Sequence, residues 1–124
     1  MDLSFVIKLR RFFLLISVIL LNYNITAQVV INEYSAANYD GFQDNYGEYE
    51  DWIELYNTSN SSIDLNGWFL TDKINNLTKW VFPSSFIIPA NSVALVYCSG
   101  RDEISGGNAH TNFKITQTKT NEVI

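Results

Sequence analysis

Residues 50–72 read EDWIELYNTSNSSIDLNGWFLTD. Ile53 and Leu55 alternate with polar and aromatic side chains, which is the period-two pattern of a strand whose two faces meet different surroundings. A connector of turn-favouring polar residues follows over residues 57–62, and a second apolar run begins at Ile63. Two such runs around a polar connector predict a pair of antiparallel strands.

The rest of the chain has the same character, with short apolar runs between polar segments. Gly67 lies within the second run and predicts a bulge there. We expect further strands at residues 28–34, 79–82, 86–88, 92–98, 112–116 and 122–124. Residues 35–49 and 99–111 are predicted loops, and the first is unusually long for a compact domain. No part of 28–124 has a helical apolar period, so the sequence predicts an all-β sandwich.

The N-terminus has the pattern of a secretory signal peptide. Basic residues precede an apolar run over residues 12–21, and the small residue Ala27 comes before the expected cut. We therefore expect a signal peptide at 1–27 and a single domain at 28–124. The apolar run is shorter than the roughly 20 residues of a membrane span. This predicts a secreted or cell-surface protein without a stable membrane span after cleavage, with an uncleaved N-terminal anchor as the alternative.

Removal of the signal peptide makes the chain more acidic. The whole sequence carries 8 Lys and Arg residues and 13 Asp and Glu residues, and the first 27 positions hold three basic residues and one acidic residue. The remaining 5 basic and 12 acidic residues give a formal net charge of −7. Such a surface repels the phosphates of nucleic acids, so we expect no nucleic-acid partner.

Cys98 is the single cysteine of the chain and cannot form an internal disulfide. It lies at the end of the predicted strand 92–98, where a buried and unreactive thiol is expected. The domain must therefore be held together by its hydrophobic core alone, and its aromatic content makes that core substantial.

Three motifs occur in a recognisable order along the chain. They are DWIELYN at 51–57, DLNGW at 64–68 and LTD at 70–72. Together with the runs around them, over residues 29–124, they resemble the lamin tail domain family, and in particular its secreted bacterial branch. The resemblance implies an immunoglobulin-like β-sandwich without agreed catalytic residues. It also implies that the family fold continues past Ile124, so this domain is expected to be C-terminally incomplete and to lack its last strand or strands.

Acidic residues are concentrated in the acidic loop 33–54, which contains no Lys or Arg. They are Glu33, Asp40, Asp44, Glu48, Glu50, Asp51 and Glu54. Flexible segments rich in carboxylates can supply the oxygen ligands of calcium. The spacing does not match an EF-hand loop, however, so a solvated acidic loop is the alternative to a calcium site.

Two single residues, Glu54 and His110, are candidates for a chemical role. The carboxylate of Glu54 shares a strand face with Trp52, and burial of that face would require hydrogen-bond donors, for which we expect a backbone turn or Lys79. His110 is the only histidine, and the chain offers it neither a GxSxG nucleophile motif nor further zinc ligands. We expect His110 to cap local backbone, and we expect no catalytic, cofactor-binding or metal-binding residue.

Aromatic residues accompany the acids in the same stretch. They are Tyr34, Tyr39, Phe42, Tyr46 and Tyr49. Aromatic and polar side chains mixed on a long loop can stack on sugar rings or on a protein partner. The alternative interpretation is that they fold back as a lid over the end of the sandwich.

The sequence thus predicts a secreted, non-enzymatic module that mediates binding or assembly at the cell surface through a protein or glycan ligand. Two alternatives stay open. The resemblance implies that such domains accompany spore-coat-type kinase domains, so the chain is alternatively an N-terminal accessory domain of a larger secreted or surface enzyme. The acidic loop alone suggests a calcium-dependent adhesion module.

Overall fold

The computed structural model describes residues 27–115, which contain nine strands and no helix. The strands are β1 Val29–Ser35, β2 Trp52–Asn57, β3 Ile63–Asp64, β4 Phe69–Leu70, β5 Trp80–Val81, β6 Ile87–Ile88, β7 Val93–Tyr97, β8 Glu103–Ser105 and β9 Asn108–His110. Nothing in this part of the chain is a helix long and apolar enough to cross a membrane. The predicted signal peptide, apart from its last residue, and the predicted strand at 122–124 lie outside the described residues.

The first layer is a five-stranded sheet in the order β1-β2-β7-β9-β8. All of its pairs are antiparallel except β7 with β9, which are parallel. On β2, Ile53 pairs with Val96 and Leu55 pairs with Ala94, so the predicted alternation puts these side chains on one face of the sheet. The pairing of β1 with β2 shifts register at Asn32, which is the one extra residue of a bulge.

The second layer is a ribbon in which β3 pairs with β6 and β4 with β5. Backbone hydrogen bonds continue the pairing between these short strands, from Leu65 N to Phe86 O over 3.0 Å and from Gly67 N to Phe82 O over 3.1 Å. Gly67 has a φ of 79°, which L side chains rarely adopt, and it forms a turn that separates β3 from β4. The bulge predicted at Gly67 is therefore wrong, since the interruption is a turn.

The predicted hairpin between the two runs of residues 50–72 is also wrong. β2 pairs with β1 and β7, whereas β3 pairs with β6 in the other layer. Asn57 supplies the physical reason, because its fully buried Nδ2 donates to Ser61 O at 2.8 Å and to Ile88 O and Pro89 O at 3.0 Å each. These bonds fix the corner at which the chain crosses from one layer to the other.

The end of the described chain differs from the sequence-based prediction in two further ways. Residues 99–111 were predicted as a loop but contain the β8–β9 hairpin, whose turn is Gly106-Gly107 with both φ values positive. Residues 112–115 were predicted to begin a strand, and they have no regular structure.

The hydrophobic core lies between the two layers. The five-stranded sheet contributes Ile53, Leu55, Val96 and Ala109, and the ribbon contributes Leu65, Leu70, Trp80, Phe82, Phe86 and Ile88. Trp80 packs on Phe82 with ring centroids 4.5 Å apart, and Phe82 stacks on Phe86 at 5.6 Å. Cys98 is a fully buried member of this core, as predicted for a buried thiol, and burial raises the pKa of the thiol to about 12.

Candidate functional site

The long segment 36–51 lies over the outer face of the five-stranded sheet. Trp52 on β2 pairs with Tyr97 on β7, and Tyr97 pairs with His110 on β9, so these three side chains share the face opposite the core. All three are buried, and Trp52 and Tyr97 do not belong to the core cluster between the layers. These side chains can be buried on an outer face only if another segment of the chain covers that face. We call the covering residues 36–51 the recognition loop.

Aromatic contacts hold the recognition loop against the sheet. Phe42 meets the ring of Trp52 edge-on at a centroid distance of 5.6 Å. The hydroxyl of Tyr97 donates to the backbone oxygen of Gln43 at 2.8 Å. Tyr46 packs edge-on against His110 at 5.6 Å. The middle of the loop is therefore fastened at three points along the same face.

A second set of contacts fixes Tyr46 to the neighbouring hairpin. Its hydroxyl donates to Glu103 Oε1 at 2.6 Å, and Ser105 Oγ lies 3.3 Å from the Tyr46 hydroxyl oxygen. The guanidinium of Arg101 lies over the Tyr46 ring at 4.4 Å from its centroid. Tyr46 thus links the loop to β8 through its hydroxyl and to the preceding turn through its ring.

His110 is the centre of a buried polar cluster beneath the loop. Its Nε2 lies 2.8 Å from Asn45 Oδ1, and its Nδ1 lies 3.0 Å from Ser99 Oγ. Because a carbonyl oxygen only accepts, Nε2 carries the proton, and Nδ1 accepts from the Ser99 hydroxyl. The prediction that His110 caps local backbone is wrong, since both ring nitrogens bind side chains.

Asp44 completes the cluster without a hydrogen bond to the ring. Its Oδ1 accepts from the backbone N–H groups of Tyr46 at 2.8 Å and Glu48 at 3.0 Å, which closes a tight turn. Its Oδ2 is buried, lies 3.9 Å from His110 Nδ1, and has no hydrogen-bond partner among the described residues. Burial lowers the pKa of His110, and the Asp44 carboxylate opposes this effect only in part.

The other end of the recognition loop is organised by Asn38. This buried amide donates from Nδ2 to Phe42 O at 2.6 Å and to Glu50 O at 2.9 Å, and its Oδ1 accepts from Gly41 N at 3.1 Å. Its backbone N–H donates to Asp51 Oδ1 at 3.0 Å. Hydrogen bonds of the Asn38 side chain therefore take the place of regular strand pairing and hold this long loop in one conformation.

The predicted aromatic residues keep much of their surface in solvent. Four of them lie in the loop with 46–82% of their surface exposed, and Tyr34 lies on β1, where it is also exposed. The four are Tyr39, Phe42, Tyr46 and Tyr49. The loop folds back as the lid interpretation expects, but over the outer face of the sheet. Its rings nevertheless stay accessible, which the binding interpretation requires.

The predicted acidic residues do not converge. Asp51 binds the backbone of Asn38, and Glu50 forms an ion pair of 3.1 Å with Lys114. Glu33 and Glu54 face each other across β1 and β2. Among residues 27–115, no three Asp, Glu, His or Cys side chains form a group that could hold a metal ion. The structure therefore gives the calcium hypothesis no assembled site.

Glu54 has a different partner from the predicted ones. Its Oε1 accepts from Asn32 Nδ2 at 2.7 Å, and Asn32 is the extra residue of the β1 bulge. The predicted candidate, Lys79, instead binds the buried carboxylate of Asp72 at 2.5 Å. The pairing of β1 with β2 was the missing information, because it brings Asn32 next to a carboxylate 22 positions away in the sequence.

Ser99, His110 and Asn45 together contain a hydroxyl, an imidazole and an amide in hydrogen-bonded order. A nucleophile must reach its substrate, but Ser99 and His110 are both buried under the loop. An apolar groove of about 260 Å³ opens elsewhere, between β1 and β4, where Val29, Leu65 and Trp68 line it. The geometry of the cluster thus serves to hold the loop and offers no access for a substrate.

The two packed layers and their open loops define an immunoglobulin-like β-sandwich module, as the sequence predicts. The family model of the Lamin Tail Domain matches residues 24–124, and the chain belongs to this family. The family consists of immunoglobulin-like modules and is not a family of enzymes. No curated protein and no solved structure matches the chain. The resemblance of the three sequence motifs to the lamin tail domain family is confirmed.

Proposed function

We propose that the chain is a secreted, non-enzymatic module that binds a protein or glycan at the cell surface through its recognition loop. One observation carries this proposal. Asn38 and Asp44 order the loop through hydrogen bonds within it, and Asn45 bonds it to His110 on the sheet, while Tyr39 and Tyr49 stay exposed. A surface of this kind combines a fixed backbone with accessible aromatic rings.

Such an arrangement favours binding for two physical reasons. A loop that is already ordered loses little conformational entropy when it meets a ligand. Tyrosine supplies a large contact area with few rotatable bonds and a hydroxyl that forms hydrogen bonds, and it is enriched at binding hot spots. The exposed carboxylates of Asp40 and Glu48 lie between these rings in the sequence and favour ligands rich in hydroxyl or cationic groups.

Export is the second part of the proposal, and the basic and apolar pattern of residues 1–27 supports it. The test is to express the full chain in its own host and to determine its location and its N-terminal residue. We expect the protein in the medium or at the cell surface with Gln28 as its first residue. A protein that stays inside the cell with Met1 intact would contradict export.

Binding is tested with the exported chain on intact cells of the host and on its purified surface polysaccharide. Tyr39→Ser and Tyr49→Ser are expected to weaken binding by about tenfold each, because each removes an accessible ring. Ile74→Ser is the matched control, since Ile74 is also exposed but lies in the connection between β4 and β5. The proposal fails if the three variants bind like the original chain, or if Ile74→Ser weakens binding as much as the tyrosine variants.

A further inference from the structure

The buried cluster beneath the recognition loop suggests how the loop is controlled. We propose that His110 is a proton-sensitive pin, which holds the loop on the sheet at neutral pH and releases it in mildly acidic surroundings. The biological meaning of this switch rests on the proposed function, because release would change the surface that binds the ligand. The release itself can be measured without any ligand.

The neutral ring satisfies every polar contact available to it. Nε2–H donates to Asn45 on the loop, and Nδ1 accepts from Ser99, two residues after the end of β7. The ring also lies between Tyr97, which stacks on it at 5.7 Å, and Tyr46, which meets it edge-on at 5.6 Å. No part of His110 is exposed to solvent. A proton added to the ring in the closed state would therefore be buried with it, without contact with water.

Protonation of Nδ1 would disturb this arrangement directly. The imidazolium becomes a donor at both nitrogens, so the Ser99 hydroxyl loses its acceptor. Ser99 Oγ already accepts from the backbone N–H of Arg101 at 3.3 Å. A positive charge would then be enclosed between two tyrosine rings, away from solvent, and burial of a charge without a direct partner is costly.

The nearest opposite charge, Asp44, is not in hydrogen-bonding contact with the ring. On the loop, Asp44 is held 3.9 Å away by its own turn, and Glu50 is paired with Lys114. On β8, Glu103 accepts from the Tyr46 hydroxyl. Arg101 lies over the same tyrosine and adds a like charge. On β7, the facing titratable group is the phenol of Tyr97, which is neutral over the relevant pH range and donates to Gln43.

Release of the loop is the simplest way for the charged ring to reach water. Asn45 and Tyr46 are the loop residues that touch the ring, and they lie next to the turn closed by Asp44. Detachment of this turn would move the ring of Tyr46 and uncover Tyr97. The same step would loosen Phe42 from Trp52, so the aromatic surface would lose its fixed shape.

The direction of the response follows from the pKa of His110. Burial lowers this pKa below the ordinary value of 6.5, while Asp44 and Glu103 oppose the shift and Arg101 adds to it. The open state, in which the ring meets water, therefore binds a proton more readily than the closed state. Acidification below about pH 6.5 shifts the population towards the open loop.

Hydrogen exchange of the full chain tests the switch. The N–H groups of Tyr46, Gly47 and Glu48 are bonded in the closed turn. We expect their protection, corrected for the intrinsic pH dependence of exchange, to fall by about tenfold between about pH 7.5 and about pH 5.5. Protection of β2 and β7 serves as the internal control and should not change. Equal protection of the turn at both pH values would overturn the proposal.

Two variants separate His110 from Asp44. His110→Gln keeps an N–H group for Asn45 and cannot be charged, so turn protection should become the same at both pH values. Asp44→Asn keeps an acceptor for the turn but removes the anion nearest the ring, so the charged ring is less stable under the closed loop and turn protection should fall further on acidification. The proposal is wrong if His110→Gln keeps the transition or if Asp44→Asn abolishes it.

The single histidine provides a test that needs no variant. His110 is the only imidazole of the chain, so its ring proton signals can be followed by NMR without assignment. We expect it to titrate with an apparent pKa below 6.5, in step with the loss of turn protection. A titration that does not coincide with loop opening would contradict the pin. A loop that opens without any effect on ligand binding would contradict the proposed function and leave the pin intact.

Discussion

The two faces of the five-stranded sheet are covered by different physical means. On the inner face, Ile53 and Val96 pack against apolar side chains of the ribbon, including Trp80 and Phe82. On the outer face, the recognition loop covers Trp52, Tyr97 and His110 through a few hydrogen bonds and ring edges. Apolar area holds the first cover and is insensitive to pH. Specific polar contacts hold the second, so it can respond to its surroundings.

This contrast has a functional consequence. A cover held by apolar area can open only if the whole domain unfolds, because it is the hydrophobic core itself. A cover held by individual polar groups can open locally at a fraction of that cost. In this chain the core holds the two layers together, whereas separate polar contacts hold the cover of the outer face. The comparison can be tested by weakening each cover in turn.

The largest effect is expected on the inner face. Trp80→Ala should lower the free energy of unfolding by about 3–5 kcal/mol, because it leaves a cavity in the core and removes the bond from Trp80 Nε1 to Asp102. Trp80 is 1% exposed, whereas Trp68 on the same ribbon is 44% exposed. Trp68→Ala is therefore the control and should cost about 1 kcal/mol. Urea unfolding measures both, and equal losses would mean that the core is not where the two layers meet.

The second effect concerns the link between the layers. Asn57→Ala removes the buried amide that donates to Ser61, Ile88 and Pro89, and takes this donor away from the carbonyl oxygen of the buried Ile88. We expect a loss of about 2–4 kcal/mol in the free energy of unfolding. Asn60→Ala, at an exposed position of the same connector, should cost about 0.5 kcal/mol or less. A small loss for Asn57→Ala would show that the crossover is held by something other than this side chain.

Asn57 also marks the limit of what the sequence could predict. The alternation of Ile53 and Leu55 predicts β2 and its buried face correctly, because strand period is a local property. The partner of β2 is not local. The polar connector after β2 has the composition of a hairpin turn, and only the three distant acceptors of Asn57 turn it into a crossover.

The candidate site shows the same limit in a different form. The sequence identifies the long loop and its exposed tyrosines, since composition alone carries that information. It does not reveal that Asn45 and His110, 65 positions apart, form one hydrogen bond. The sequence does contain one usable signal: Gly106-Gly107 is a typical two-residue hairpin turn, and such a turn places His110 on a strand opposite Glu103.

The third prediction concerns the Gly106-Gly107 turn. A Cβ added at Gly106 would lie 3.0 Å from Asn45 Cβ, whereas at Gly107 it would meet nothing within 4 Å. Both glycines have positive φ, so both alanine variants carry backbone strain. We expect Gly107→Ala to cost about 1 kcal/mol and Gly106→Ala about 2 kcal/mol, with the loss of loop protection confined to the second variant. Loss of loop protection in both variants would show that the hairpin, and not its contact with Asn45, supports the loop.

The smallest expected effect is a pH dependence of the free energy of unfolding, which the outer cover has and the inner cover lacks. His110 in the folded chain has a pKa below 6.5, and its unfolded value is close to 6.5, so the unfolded state binds the extra proton. The stabilising contribution of the neutral ring is therefore complete above about pH 7 and decreases as the pH falls below about 6.5, with a slope of at most about 1.4 kcal/mol per pH unit. Urea unfolding at a series of pH values should show this slope in the original chain and in Trp80→Ala, because the inner cover does not titrate. His110→Gln should flatten the curve over this range. A slope that survives in His110→Gln would assign the acid sensitivity to the carboxylates and remove the proposed difference between the two faces.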